Sequence, residues 1–423
     1  MSDVATASVD SEGGGDTSST EDSLLARTVD AFRYGNTAAI VVLAFFSSLV
    51  VGAVLIVAAD APTRTAMGYF FQSPGDTFSR GWRAIAAAYV ALFQGSVFNS
   101  NSLYSNSGIG VFYPICQTLS YATPLIFGGL AVAVAFRAGL FNIGAQGQII
   151  AGAICSGYVG FHWSLPPVIH LVVALAAGVI GGMVWGGLAG VLKARAGAHE
   201  VISTIMLNYI AVYLIGYLLT VKGFKRPNSI QPQSSPIHGT ARLPYLFGAK
   251  QQVNLALVLA LLAAFGCWWL LTRSTLGFRL RAVGANAFAA RTAGISVQRS
   301  YITVMVISGA LAGLAGCTQI LGANAGSGLN GQIDGGFGFD AITVALLGFA
   351  SPAGVVAAGL LFGAFHAGGV QLLATTDTPQ DVSNIMQYVI VLFIAAPGLI
   401  RLIFRLRDAR GGGGQQLAKG WNG

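Results

Sequence analysis

Charge is what this sequence has least of: only 9% of its 423 residues are Asp, Glu, Lys or Arg. An ordinary soluble domain is about one quarter charged, which excludes a water-soluble fold of this size. A means of gripping nucleotide phosphates is also absent. A P-loop needs a Gly-Lys pair closing its glycine-rich turn, and none of the five lysines (Lys193, Lys222, Lys225, Lys250, Lys419) follows a glycine. There is no HExxH and no GxSxG, and the five histidines are scattered. The four cysteines, Cys116, Cys155, Cys267 and Cys317, stand alone, with no CxxC and no neighbouring His. They imply neither a disulfide framework nor a metal site, so no cofactor is expected on this chain and an enzyme of a familiar class is not indicated.

What is present is 54% apolar residues and 57 glycines without the period of collagen, a composition suited to transmembrane helices in contact. Crossing ~30 Å of hydrocarbon takes about 20 residues. Runs of that order fall at 38–59, 117–136, 140–160, 167–192, 201–220, 253–272, 301–321, 338–350, 353–373 and 385–400. The expected fold is therefore all-α and integral to the membrane, with about ten spans. Ser351 and Pro352 leave open whether 338–373 is two helices or one broken helix. An amino terminus in the cytoplasm places 15 Lys and Arg inside and the other eight outside, as the positive-inside bias requires. Ten crossings return the carboxyl terminus to the same side.

Seven of the fifteen acids precede residue 31. Residues 1–36 read as a disordered acidic cytoplasmic tail, 37–405 as the membrane domain and 406–423 as a Gly-rich cytoplasmic tail. Segments 60–116 and 221–252 face outward in this scheme and 273–300 inward; within the first, residues 81–93 suit an interfacial helix. Gly178, Gly182, Gly186 and Gly190 recur every four residues, and Gly309/Gly313 and Gly359/Gly363 repeat the spacing, so close helix contacts are expected, with the fourth span central. Phe141 to Ala153 loosely echoes Gly338 to Ala350, which would make the fold a 5+5 inverted repeat.

Ionisable residues inside a membrane are costly and functional by default. Here the spans hold almost none: Asp340 falls at a span end, Glu200 at the cytoplasmic mouth, and His170 and His366 suit either a proton relay or core imidazoles bonded to backbone. Uncharged polarity is concentrated instead at Asn142, Gln146 and Gln148, at Asn208, and at Gln319 with Asn324. These amides could tie helices together or line a path for an uncharged hydroxylated solute. Segment 273–300 is basic but compact and apolar for a loop, with a helical run from Ala287 to Ala293 between glycines. Such a segment invites a binding partner.

The motifs RAGLFNIGAQGQ (Arg137 to Gln148), GAHEVISTIMLNYIA (Gly197 to Ala211), STLGFRLRAVGANAFAARTAGI (Ser274 to Ile295), ISGALAGLAG (Ile307 to Gly316) and GFGFDAITVALLG (Gly336 to Gly348) resemble the membrane subunits of ABC importers for sugars and branched-chain amino acids, nucleoside-type permeases in particular. The second and third motifs look like the larger permease of the nucleoside pair. The resemblance implies a coupling helix in 273–300 that docks on a separate ATPase, through Gly277, Arg279, Arg281, Gly284, Asn286, Ala289, Ala290 and Gly294. It also implies a second permease, an extracytoplasmic solute-binding lipoprotein, ATP use by a partner subunit, and a bacterial plasma-membrane location. Phe288 stands where the wider superfamily often has Glu, and Gln146 where relatives often have Glu. The function expected is ATP-driven import of a small polar solute, a nucleoside first and a sugar second. The rivals are an ion-coupled secondary carrier and a membrane enzyme or scaffold.

Overall fold

A computed structural model describes residues 37–99, 110–248, 252–376 and 378–405. Both expected tails lie outside these residues. The described residues form, in chain order, α1 Thr37–Ala59, α2 Ala61–Met67, α3 Pro74–Ser96, α4 Tyr113–Arg137, α5 Ala145–His162, α6 Pro167–Ala196, α7 Glu200–Leu218 and α8 Ala256–Arg273. After them come α9 Thr275–Ala285, α10 Ala287–Thr292, α11 Val297–Thr318, α12 Phe337–Leu347, α13 Pro352–Thr375, α14 Asp381–Ala395 and α15 Pro397–Ile403. Among the described residues there are isolated β-bridges but no strands. Seven of the helices, two of them counted with a flanking turn, are long and apolar enough to cross a membrane, and α12 and α14 are shorter apolar helices.

The chain divides into two units, Ser47–Leu392 and a smaller one made of its two ends, Met1–Phe46 with Phe393–Gly423. The smaller unit contributes the first turns of α1, the last residues of α14 and α15. The larger holds everything described below.

Packing in the larger unit is organised by glycine. Methyl groups built on Gly182 and Gly309 would collide with each other's backbone, and one on Gly186 would stand 3.0 Å from the Gly309 Cα. α6 and α11 therefore lie backbone to backbone, which is how helices adhere when lipid offers no hydrophobic driving force between them. The expectation that this span is central needs correcting. The glycine stripe buries one face of α6, while Val168, Val172, Ile180, Val184 and Leu188 point outward. α4 and α11, buried along most of their length, form the centre instead.

The stretch 338–373 is two helices. Phe349 and Ala350 both adopt positive φ, at 52° and 48°, so the chain reverses between α12 and α13. Arg137 fixes the reversal: its Nε donates to the Ala350 carbonyl at 2.9 Å and its Nη2 to that of Phe349 at 3.4 Å. Four free cysteines are found, three of them buried.

The loop between α7 and α8 is closely packed. Ile237, Ala241 and Leu243 are buried against Val159, Phe161, Ile320, Leu321 and Leu329. His170 helps hold it, with Nδ1 2.7 Å from the Thr240 hydroxyl and Nε2 3.1 Å from the Val159 carbonyl. That is the backbone-bonded core imidazole of the two roles open to it. His366 lies among rings, 4.7 Å from Tyr121 and 5.8 Å from Phe337 by centroid.

Candidate functional site

The region of interest begins where α4 ends and the chain stays buried without being helical. Residues 138–144 are irregular, yet they sit within the bundle. Asn208, which touches them, lies eight residues beyond Glu200, about 12 Å along α7. Glu200 itself marks the helix end, paired with Lys193 at 2.8 Å. Irregular backbone at membrane depth survives only where protein satisfies its polar groups, and here the amide side chains do so. Asn208 accepts from the Gly147 N–H at 2.8 Å and donates to the Ile143 carbonyl at 2.9 Å. Asn142, fully buried, accepts from the Gly144 N–H at 3.0 Å and donates to Gln148 at 3.0 Å and Ser308 at 2.7 Å. The Ser308 hydroxyl donates in turn to the Ala131 carbonyl at 2.6 Å.

The six amides singled out from the sequence thus fall into two groups. Asn142, Gln146, Gln148 and Asn208 gather around the irregular connection. Gln319 and Asn324 form a separate pair, 3.4 Å apart, at the far end of α11. Within the first group Asn142, Gln148 and Asn208 are buried with their bonding spent on protein. Gln146 differs: it is only half-buried, and its Nε2 donates to Asp334 at 3.0 Å.

Asp334 is the residue that sequence reading missed. An eighth span that starts at Gly338 leaves Asp334 in a loop and Asp340 at a membrane edge. In the structure α12 begins inside the bundle, where Gly128 of α4 meets Ala341, so both acids are buried, at 6% and 8% exposure. Asp340 accepts from the Tyr388 hydroxyl at 3.2 Å. The N-terminal turns of α5 and α12 meet there, with Gly338 against the Gln146 backbone. Two helix N-termini, each with a partial positive charge, converge on a place furnished with a carboxylate and an amide. These are also the two segments that echo each other in sequence. The only signal available beforehand was that echo together with the paired glycines 335 and 336.

Next to the start of the irregular connection, the segment 274–296 is built from capped short helices. The Ser274 hydroxyl accepts from the Gly277 N–H at 2.9 Å, and the Asn286 side chain from the Ala289 N–H at 3.0 Å. Ala290 is buried with Val283 and Val297, which seats α10 on its neighbours. Phe288 points away, 83% exposed, and Arg279, Arg281 and Arg291 are exposed as well. Gly294 ends α10 at φ 80°, where a side chain is strained even in open space. Gly284 lies against the backbone of Arg137 to Gly139, so the exposed helix is joined through rigid contacts to the start of the irregular connection.

Comparison with known proteins accords with this geometry. The family model described as branched-chain amino acid transport system, permease component, matches residues 115–395. The guanosine ABC transporter permease protein NupP of Bacillus subtilis is 40% identical over 75% of this chain and 91% of its own length. The nucleoside ABC transporter permease protein NupB of Lactococcus lactis is 33% identical over 70% of this chain and 83% of its own. The glucose ABC transporter permease protein TsgB13 of Haloferax volcanii is 34% identical over 67% and 76%. This chain is a multi-pass membrane protein that belongs to the branched-chain amino acid transport system permease family, among ABC transporter permeases of the nucleoside and sugar type.

Proposed function

We propose that this chain is the solute gate of an ATP-driven importer and that its solute is a nucleoside. It works beside a second permease, receives solute from an extracytoplasmic binding lipoprotein and is moved by a cytoplasmic ATPase that docks on α9 and α10. The observation that carries the reading is the continuity from Phe288 and Arg291, through Gly284 and its backbone contact with Arg137 to Gly139, to the connection beside Gln146 and Asp334. A push on α10 is delivered to the place where two helix starts meet. Alternating access then needs only that α5 and α12 part at that junction. No step requires chemistry on this chain.

The choice of solute rests on two supports. Relatives named for guanosine and nucleosides resemble this chain along most of its length. Gln146 and Asp334 together offer amide donors and carboxylate acceptors, which suit ring N–H groups and sugar hydroxyls and disfavour an anion. Asn142, Gln148 and Asn208 hold the junction in shape. A sugar is the second reading, supported by the glucose permease relative.

Uptake of labelled guanosine and glucose by cells lacking this gene and carrying either the natural chain or Phe288→Asp tests the reading. We expect guanosine uptake with the natural chain, and at least a tenfold loss with Phe288→Asp at equal membrane abundance. Glucose uptake alone would replace the solute assignment. Full uptake by Phe288→Asp would remove the docking assignment.

A further inference from the structure

The sequence reading put residues 60–116 in one outward segment, but contacts within Ser47–Leu392 give α3 a direction that divides it. At the carboxyl end of α3, a methyl group on Gly95 would stand 2.9 Å from the Gly368 Cα, one on Gly368 would stand 2.7 Å from the Leu92 carbonyl, and Thr118 donates to the Ser96 carbonyl at 2.7 Å. This end of α3 therefore lies by the start of α4 and the end of α13, far from the Arg137–Ala350 contact. Going back along α3, the Tyr89 hydroxyl donates to the Leu49 carbonyl, and a methyl group built on Gly81 would stand 3.6 Å from Val57 and 3.7 Å from Thr63. Eight residues of α1 thus match eight residues of α3 in reverse, so the two helices are antiparallel.

Depth is fixed by α14. Ser383 donates to the Phe365 carbonyl at 2.8 Å, Ser48 donates to the Met386 carbonyl at 2.7 Å, and Tyr388 reaches Asp340. Ser48 is therefore near the middle of the bundle. From there α1 descends toward the Arg137 end, where α9 and α10 also lie.

We infer that α3 is a further membrane crossing and that its hairpin with α1, residues Asp60–Ser73, lies on the same membrane face as the coupling segment. The carboxyl end of α3 and the start of α4 then lie on the opposite face. Charge agrees: Arg64, Arg80 and Arg83 join Arg137, Lys193, Arg195 and the basic residues of 273–300 on one face, as the positive-inside bias favours. So does the aromatic clustering. Phe71, Phe78 and Trp82 are 97%, 70% and 71% exposed beside these arginines, with Phe70 5.6 Å from Phe71 and 5.9 Å from Phe78 by ring centroid. Exposed aromatics next to arginines are what a headgroup boundary selects. Hydropathy hides this crossing because Asp76, Arg80 and Arg83 all fall in the first ten residues of α3, and the helix needs only its remaining length plus the snorkelling arginine stems to span.

The test is cysteine labelling with a membrane-impermeant maleimide, in intact cells and in inverted vesicles, with the natural chain as background. Thr65→Cys and Gln72→Cys probe the hairpin, Arg291→Cys the coupling face and Ile230→Cys the outer loop; all four positions are exposed. The hairpin positions are expected to follow Arg291→Cys, labelling at least fivefold more strongly in inverted vesicles than in intact cells, and to oppose Ile230→Cys. Labelling that follows Ile230→Cys, or from neither face, overturns the inference. If Arg291→Cys labels from outside and the hairpin follows it, the coupling proposal fails while this inference stands.

Discussion

Asn208 shows how one side chain can hold a break in a membrane helix. Its amide satisfies one backbone donor and one backbone acceptor on the far side of the irregular connection, and leaving either unmet costs about 1–3 kcal/mol. Asn208→Ala is expected to lower stability by about 2–6 kcal/mol on the same basis, read as an earlier melting transition of the purified protein in detergent. Ala350 makes the opposite case. Its positive φ costs about 1–2 kcal/mol that glycine avoids, while glycine adds about 0.4–1 kcal/mol of unfolded-state entropy. Ala350→Gly should therefore be near neutral or slightly stabilising, whereas Ala345→Gly inside α12 should cost about 1 kcal/mol; thermal melts of the two variants decide the point. At this scale the sequence was partly legible. It marked Asn142, Gln148 and Asn208 as polar residues with work to do. It could not reveal that their work is to satisfy the backbone, because the groups they bond belong to a connection that looks helical in composition.

At the scale of elements, hydropathy located ten segments because each is an uninterrupted apolar run. At α12 it missed the depth at which the helix begins, because it reads length and apolarity alone. α12 starts inside the bundle, which brings Asp334 and Asp340 under cover. The glycine spacing was a sound guide to contact and a poor guide to centrality. Gly313 stands against the Gly178 carbonyl at 2.5 Å and the Gly182 Cα at 3.2 Å once given a methyl group, while Gly216 and Gly266 meet nothing within 4 Å. Backbone cannot yield as a side chain does, so Gly313→Val should exceed the usual ~1–3 kcal/mol of overpacking and lose the folded protein. Gly216→Val and Gly266→Val should be tolerated. Monodispersity of the three variants on size-exclusion chromatography separates these outcomes.

For the whole molecule, composition alone pointed to a membrane fold, the placement of the lysines left no P-loop motif, and the spaced motifs pointed to the family that the comparisons identify. What composition could not supply was the pairing of distant segments. The junction of α5 with α12 and the seat of α9 against the end of α4 join residues about 190 and 145 apart in sequence. The two buried acids also give an ion-coupled carrier a physical basis that the sequence withheld, since a carboxylate at membrane depth is where a proton or Na⁺ would be held. A separate ATPase is the proposed source of the driving force, and the purified chain decides between the two. Reconstituted alone in liposomes under an imposed proton or Na⁺ gradient, it should accumulate no labelled guanosine above the level of empty vesicles. Sustained accumulation that collapses with the gradient would contradict the account.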